Sequence, residues 1–285
     1  AVRLEWVLED VAQSASGIDR QQVALGHWAK EHLPADARIG LNDTGAIAYF
    51  GDRKTFDVVG LTTPTEGRYW VAGAGSRLEH YERLRIVAPA SLPTHFIVYP
   101  EWMALDSVLG APLHEATVTD STILGGQTMR VSEARWDYLG TGERPWTTLG
   151  TIHDAIDVAD LESEAEHAFE LAGARDGEQV GREENAPDGA IVVDGGRTNR
   201  TRDRFVANLP AQGKLLGVAR IETSTATTLL VNVAGKPVAR IEVLGGPWEE
   251  ISFEVPADAR GERVPIEVSA DGATFTSFHY WFGTP

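Results

Sequence analysis

The sequence predicts two domains of different class: an α/β layered, Rossmann-like sandwich at 1–140, and an all-β sandwich of jelly-roll type at 150–285. Three observations carry this. Helical periodicity alternates with short apolar runs through the first half. Residues 140–150, GTGERPWTTLG, are crowded with turn formers and read as a linker. Beyond them, strand-like segments recur at short spacing with Gly, Pro and Asp between them.

In order, residues 2–15 set Leu4, Val7, Leu8 and Val11 on one helical face, and Gly17 is expected to end that helix. Asp19 reads as the next N-cap, with Gln22 three residues on and Ile18 and Val23 spaced as a hydrophobic staple. The second helix carries Leu25, Trp28, Ala29 and Leu33 and stops before Pro34. Ile39 and Leu41 begin a strand that runs into the turn Asn42-Asp43-Thr44-Gly45. A short helical patch follows at Ala46–Phe50, then a compact strand from Phe56 to Leu61. Thr62 to Tyr69 reads as loop, 77–85 as a short charged helix, and HFIVY at 95–99 as a strand closed by Pro100. Thr117–Ile123 and Thr128–Ser132 read as a hairpin around Gly125-Gly126. From Ile152 on the pattern offers strands only: 163–172, 189–194, 204–209, 214–222, 227–234, 237–244, 249–255, 263–269 and 274–282. In the last of these, Phe278, Tyr280 and Phe282 alternate with Ser277, His279 and Trp281.

The net charge of −17 over 285 residues argues against binding a nucleic-acid backbone or an anionic membrane surface. The absence of cysteine excludes disulfides and thiolate chemistry. No apolar run approaches the roughly 18 residues a membrane helix needs. There is no GxGxxG, GxSxG or HExxH.

The polar turn at Asn42, Asp43 and Thr44 sits where α/β sheets place ligands, at the C-terminal end of a strand, and is the candidate pocket of the first domain. Asp43 alternatively caps the helix that follows. In the second domain the run Asp157, Asp160, Glu162, Glu164, Glu166 supplies oxygen ligands. A structural calcium on Asp160, Glu162 and Glu164 is the only cofactor it suggests, the alternative being a solvated edge. Glu164 and His167 would share a helical face, but the segment reads as strand and separates them. Arg197, Arg200, Arg202 and Arg204 form a basic cluster that either clamps an oxyanion or neutralises nearby acids such as Asp194 and Asp203. Trp248 follows Gly245-Gly246-Pro247, where an exposed ring could stack on a sugar. Candidate glycan contacts are Trp248 with Arg197 and Asn199 at the loop end, or His279 and Trp281 with His167 and Glu164 on a sheet face. That second grouping equally suits a purely structural polar contact.

The stretch QQVALGHWAKEHLPADARIGLNDTGAIAYFGDRKTFDVVGL, with HFIVYPEW later, resembles the extracytoplasmic C-terminal region of bacterial GT-C type membrane glycosyltransferases. The matching positions are Trp28, Leu33, Pro34, Asp36, Ala37, Asp43, Gly45, Ala46, Ile47, Tyr49, Phe50, Asp57, Gly60 and Leu61. DLESEAEHAFEL and SFHYWFG resemble carbohydrate-binding jelly rolls. The resemblance implies a non-catalytic region outside the cytoplasm, tethered to the membrane-embedded portion of the same polypeptide. Its implied partners are glycan or polyprenyl-linked sugar, and its catalytic residues would lie outside this chain. The alternatives are a secreted polysaccharide-acting enzyme and a structural or docking module.

Overall fold

The computed structural model describes residues 2–171 and 178–285, which divide into two compact units. The first comprises 1–71 and 83–137; the second comprises 72–82 and 138–285.

The first unit opens with α1 (Val2–Ile18), a π-helical stretch (Asp19–Val23) and α2 (Ala24–His32) in unbroken succession. This corrects the predicted break. Gly17 stays helical, and a Cβ there would lie 2.3 Å from Ser121 Oγ, so its smallness serves close packing. Ile18 is itself in αR, so no N-cap forms at Asp19. The wider π turn buries Gln21, which accepts from the Tyr99 hydroxyl at 2.7 Å and donates to the Gln127 carbonyl at 2.8 Å.

The sheet has order β2-β1-β3-β5-β4. β1 (Arg38–Leu41) runs parallel to β2 (Lys54–Asp57) and β3 (His95–Val98), whereas β4 (Leu109–Thr117) and β5 (Thr128–Ala134) form an antiparallel hairpin on the far side. This unit is therefore a mixed five-stranded sheet with helices. Only half of it has the parallel character of a doubly wound fold. Leu25, Ala29 and Leu33 of α2 and Ile47 of α3 (Ala46–Gly51) pack on Ile39, Leu41, Ile97, Met129 and Val131. The second strand ends at Asp57, short of the predicted Leu61. The buried Asp57 carboxylate accepts from the amides of Val59, Gly60 and Thr62 and folds the chain into a turn. The predicted loop at 62–69 holds the start of α4 (Glu66–Ala72).

The charged helix is α5 (Ala74–Val87), and its residues 74–82 count with the second unit, where they are buried, while the short α6 (Pro100–Met103) follows β3 in the first unit. Also in the second unit is β6 (Ile152–Asp157), which precedes α7 (Leu161–Glu166). The predicted strand at 163–172 is thus a helix as far as Glu166, and residue 172 lies outside the described residues. The cause is local: Asp160 Oδ1 accepts from the amides of Glu162 and Ser163, an N-cap that fixes the first turn. The remaining strands are β7 (Gln179–Asn185), β8 (Ile191–Arg200), β9 (Arg202–Leu209), β10 (Leu216–Thr223), β11 (Thr227–Val233), β12 (Lys236–Val243), β13 (Gly246–Glu254), β14 (Gly261–Ala270) and β15 (Phe275–Gly283).

Two sheets result, one of order β13-β10-β15-β8-β7 with β6 also on β15, the other of order β12-β11-β14-β9. Their facing residues make an apolar core that includes Phe205, Ile221, Val231, Phe253, Val268, Tyr280 and Phe282. The unit is a β-sandwich. A bulge in β15 beside Arg220 and Ile221 breaks the predicted alternation. Phe278 leaves the face of Tyr280 and Phe282 and packs on Trp248, ring centroids 4.7 Å apart.

Candidate functional site

The outer face of the six-stranded sheet carries a second, polar core. Register puts Arg220 of β10 beside Glu250 of β13 and His279 of β15, and His279 beside Asp157 of β6. Arg220 is fully buried. It donates to Asp194 Oδ2 at 2.7 Å, to Glu250 Oε1 at 2.8 Å and to the carbonyls of Gly142 and Arg144 at 2.8 and 3.0 Å. Its guanidinium lies 5.1, 5.1 and 4.8 Å from the ring centroids of Trp146, Trp248 and Trp281. The predicted linker at 140–150 is therefore a built part of this unit: its carbonyls hold Arg220, and its Trp146 and Thr147 amides donate to Glu250.

Residues 74–82 of α5 cover the same face. Close approach is possible because Gly195 of β8 has no side chain: a Cβ there would lie 2.3 Å from Glu79 Oε1 and 3.0 Å from the Gly75 carbonyl. The Gly195 amide donates to Glu79 at 2.7 Å. Burial, then the charges of Asp157, Glu82 and Asp194, hold the Glu79 carboxyl well above the usual range. Asp157 is pushed up likewise, by burial first and by Asp194 next. Glu82 is raised by burial, against the amide of Gly140 that opposes it.

The predicted site residues fall into place as follows. Trp248 and Trp281 are 7% and 0% exposed, so neither offers a ring face to solvent. Trp281 stacks on His279, centroids 4.5 Å apart and planes 4° from parallel. Arg197 forms a buried bidentate pair with Glu164, one arm at 2.7 Å, and Glu164 also accepts from the Ala159 amide. With Glu164 so engaged and Asp160 serving as a cap, these carboxylates do not converge with Glu162 as a calcium site. Glu164 and His167 share α7 and its C-cap after all, yet they diverge. His167 accompanies Asp154 at 3.1 Å, on a partner other than His279. Asn199 is exposed and donates to Glu178. The arginine cluster is neutralised locally: Arg200 on Asp203 at 2.7 Å, Arg202 near Glu170 at 3.7 Å and Arg204 on Glu267 at 2.6 Å.

In the first unit Asp43 does not cap α3. Its carboxylate accepts from Gln22, and the N-cap position belongs to Gly45. Asn42 is buried and accepts from the Tyr99 amide at 3.4 Å, while Thr44 is half-buried.

Sequence reading missed a groove of about 510 Å³ on the outer face of the four-stranded sheet. Val206 and Pro265 are paired across β9 and β14, as are Arg204 and Glu267, and Asn232 of β11 stands beside Glu267. These residues alternate with the core-facing Phe205, Ile266 and Val268. The alternation of RDRFVANL and GERVPIEV was the available signal; which polar face would be concave was not.

Residues 13–153 match a family described as a domain of unknown function, DUF8728. No curated protein matches the chain. Solved structures similar to part of it include carbohydrate-binding modules. The C-terminal CBM6 of LamC from Zobellia galactanivorans is 12% identical, with 46% of this chain and 98% of that one covered at a TM-score of 0.29. CsCBM6-3 from Clostridium stercorarium, solved with cellobiose, is 14% identical over 41% and 93% at 0.28. A family 35 module from Clostridium thermocellum is 13% identical over 48% and 100% at 0.30.

Proposed function

We propose that this chain is a non-catalytic, glycan-binding region that holds acceptor glycan for a membrane glycosyltransferase on the extracytoplasmic side. The groove on the four-stranded sheet carries the reading. Val206 and the exposed Pro265 give an apolar floor for the C–H face of a sugar ring. Arg204, Glu267, Glu170 and Asn232 surround it with donors and acceptors that match vicinal hydroxyls. One cation, Arg204, faces two carboxylates there, Glu170 and Glu267, so a neutral sugar suits it better than a phosphorylated one. Lacking an exposed aromatic platform, it should bind weakly, with Kd in the millimolar range or about 4 kcal/mol.

Catalysis by the paired carboxyls of the second unit is disfavoured, because Glu79 of α5 is buried and neither it nor Asp157 lines this groove. Among the described residues no helix is long and apolar enough to cross a membrane. A tether to a membrane portion therefore rests on the sequence resemblance.

The test is an NMR titration of the full chain with neutral cell-wall oligosaccharides. Shifts at Arg204, Asn232 and Glu267, lost in Arg204→Ala, support the proposal; silence at every sugar rejects it. The interior placement of Trp248 and Trp281 favours a second reading, a structural or docking module, which that silence would leave standing.

A further inference from the structure

Three strands of the second unit bring metal-ligating groups to one buried point. Asp157 ends β6, Asp194 sits within β8 and His279 within β15, and one ligand atom from each lies within 4.8 Å of the others. His279 Nδ1 is 3.6 Å from Asp194 Oδ2 and 3.8 Å from Asp157 Oδ1. These separations are too long for hydrogen bonds. They are close to the roughly 3.4 Å expected between ligands about 2.1 Å from one tetrahedral ion.

A second observation is independent of the clustering. His279 is 2% exposed, and its Nδ1 has no hydrogen-bond partner among the described residues. Asp157 Oδ1 is buried and unpartnered as well. Native folds rarely leave such atoms unsatisfied without an ion, a water or a ligand between them. The imidazole is held in orientation by its stack on Trp281, and Asp194 by its bond from Arg220. Outer contacts of this kind fix metal ligands.

We propose that Asp157, Asp194 and His279 form a binding site for one divalent transition-metal ion of the zinc class. An imidazole nitrogen with two carboxylate oxygens suits zinc better than the all-oxygen shell that calcium takes. The ion tethers β6, β8 and β15 where they meet, so its role is structural. The ligand set shares no residue with the glycan groove or with Asp160, Glu162 and Glu164, and does not depend on the glycan reading.

The experiment uses the full chain stripped with EDTA. Isothermal titration with ZnCl2, and separately with CaCl2, is paired with thermal melting. One zinc ion should bind per chain, at least about tenfold more tightly than calcium, and should raise the melting temperature. His279→Gln and Asp157→Asn should each weaken zinc at least about tenfold, with far-UV circular dichroism in EDTA unchanged. Absence of one-to-one zinc binding, equal affinity in the folded variants, or calcium binding as tightly as zinc overturns the proposal. Should the variants fail to fold, wild-type protein loaded with Co2+ decides. Visible ligand-field bands of four- or five-coordinate N/O ligation support the site, and a spectrum matching aqueous Co2+ overturns it.

Discussion

Replacing Arg220 with Ala should be among the most damaging single changes in the second unit. The side chain is fully buried, and its nitrogens donate to two carboxylates and two carbonyls. Removal strands Asp194, 2% exposed, and Glu250, whose side chain is 0% exposed, as buried carboxylates without their cation. Breaking a buried ion pair from one side costs about 3–5 kcal/mol. Each lost stack on Trp146, Trp248 and Trp281 adds on the order of 0.5–2 kcal/mol, and water entering the cavity recovers part of the sum. A net loss of about 4 kcal/mol is expected, which lowers the melting temperature of a unit this size by roughly 8–16 °C. The assay is thermal unfolding followed by tryptophan fluorescence, since three tryptophans surround the missing group. A double-mutant cycle with Glu250→Gln isolates the pair. A loss below about 1 kcal/mol for Arg220→Ala, or strict additivity with Glu250→Gln, would show that Arg220 does not organise this layer.

Stability should also depend on pH in a way set by two groups of titrating side chains. Burial lowers the His167 pKa, but its bonds to Asp154 and the Ser163 carbonyl outweigh this and leave it raised; burial likewise raises Asp154, but His167 and the Asn208 amide outweigh it and leave that carboxyl lowered. A raised histidine stabilises fully below its unfolded value, near 6.5, and loses that contribution as pH rises through the folded value; a lowered aspartate loses its contribution below about pH 4. Glu82, raised, is protonated more readily when folded, so it too subtracts stability as pH climbs above about 4.3. Chemical denaturation across pH 4–9 should therefore show stability falling on the alkaline side, and His167→Gln should flatten part of the fall; a rise with pH contradicts this. Gly60→Ala should destabilise the first unit severely, because Gly60 has φ +86° and a Cβ would lie 1.9 Å from the Gly67 amide. Soluble wild-type-like yield and unchanged melting for that variant would mean the turn relaxes easily.

Among the described residues, eight of the ten strands in the second unit, β8 to β15, were legible in the sequence because short apolar runs lie there between Gly, Pro and Asp turns; buried and exposed residues alternate strictly in β9 but not in β8 or β15. Helix α2 and strands β1 and β3 were legible for the same kind of reason: their apolar periodicity matches the face they bury. Helix α7 was not, since six residues rich in Glu carry no apolar period, and only the Asp160 cap and the burial of Glu164 against Arg197 select the helix. The close packing that uses Gly17 was not legible either, because its partner Ser121 is far away in sequence. The candidate sites diverged most. Sequence supplied the residue types, acids, arginines, His279 and tryptophans, but these polar side chains look alike whether they face water or one another. Strand pairing and the approach of α5 to Gly195 decided that Asp157, Asp194, Arg220 and His279 are interior, and that Arg204, Asn232 and Glu267 line an open face. Chain order holds the pattern along each strand, and only tertiary pairing decides which strand lies beside which and what is taken out of water.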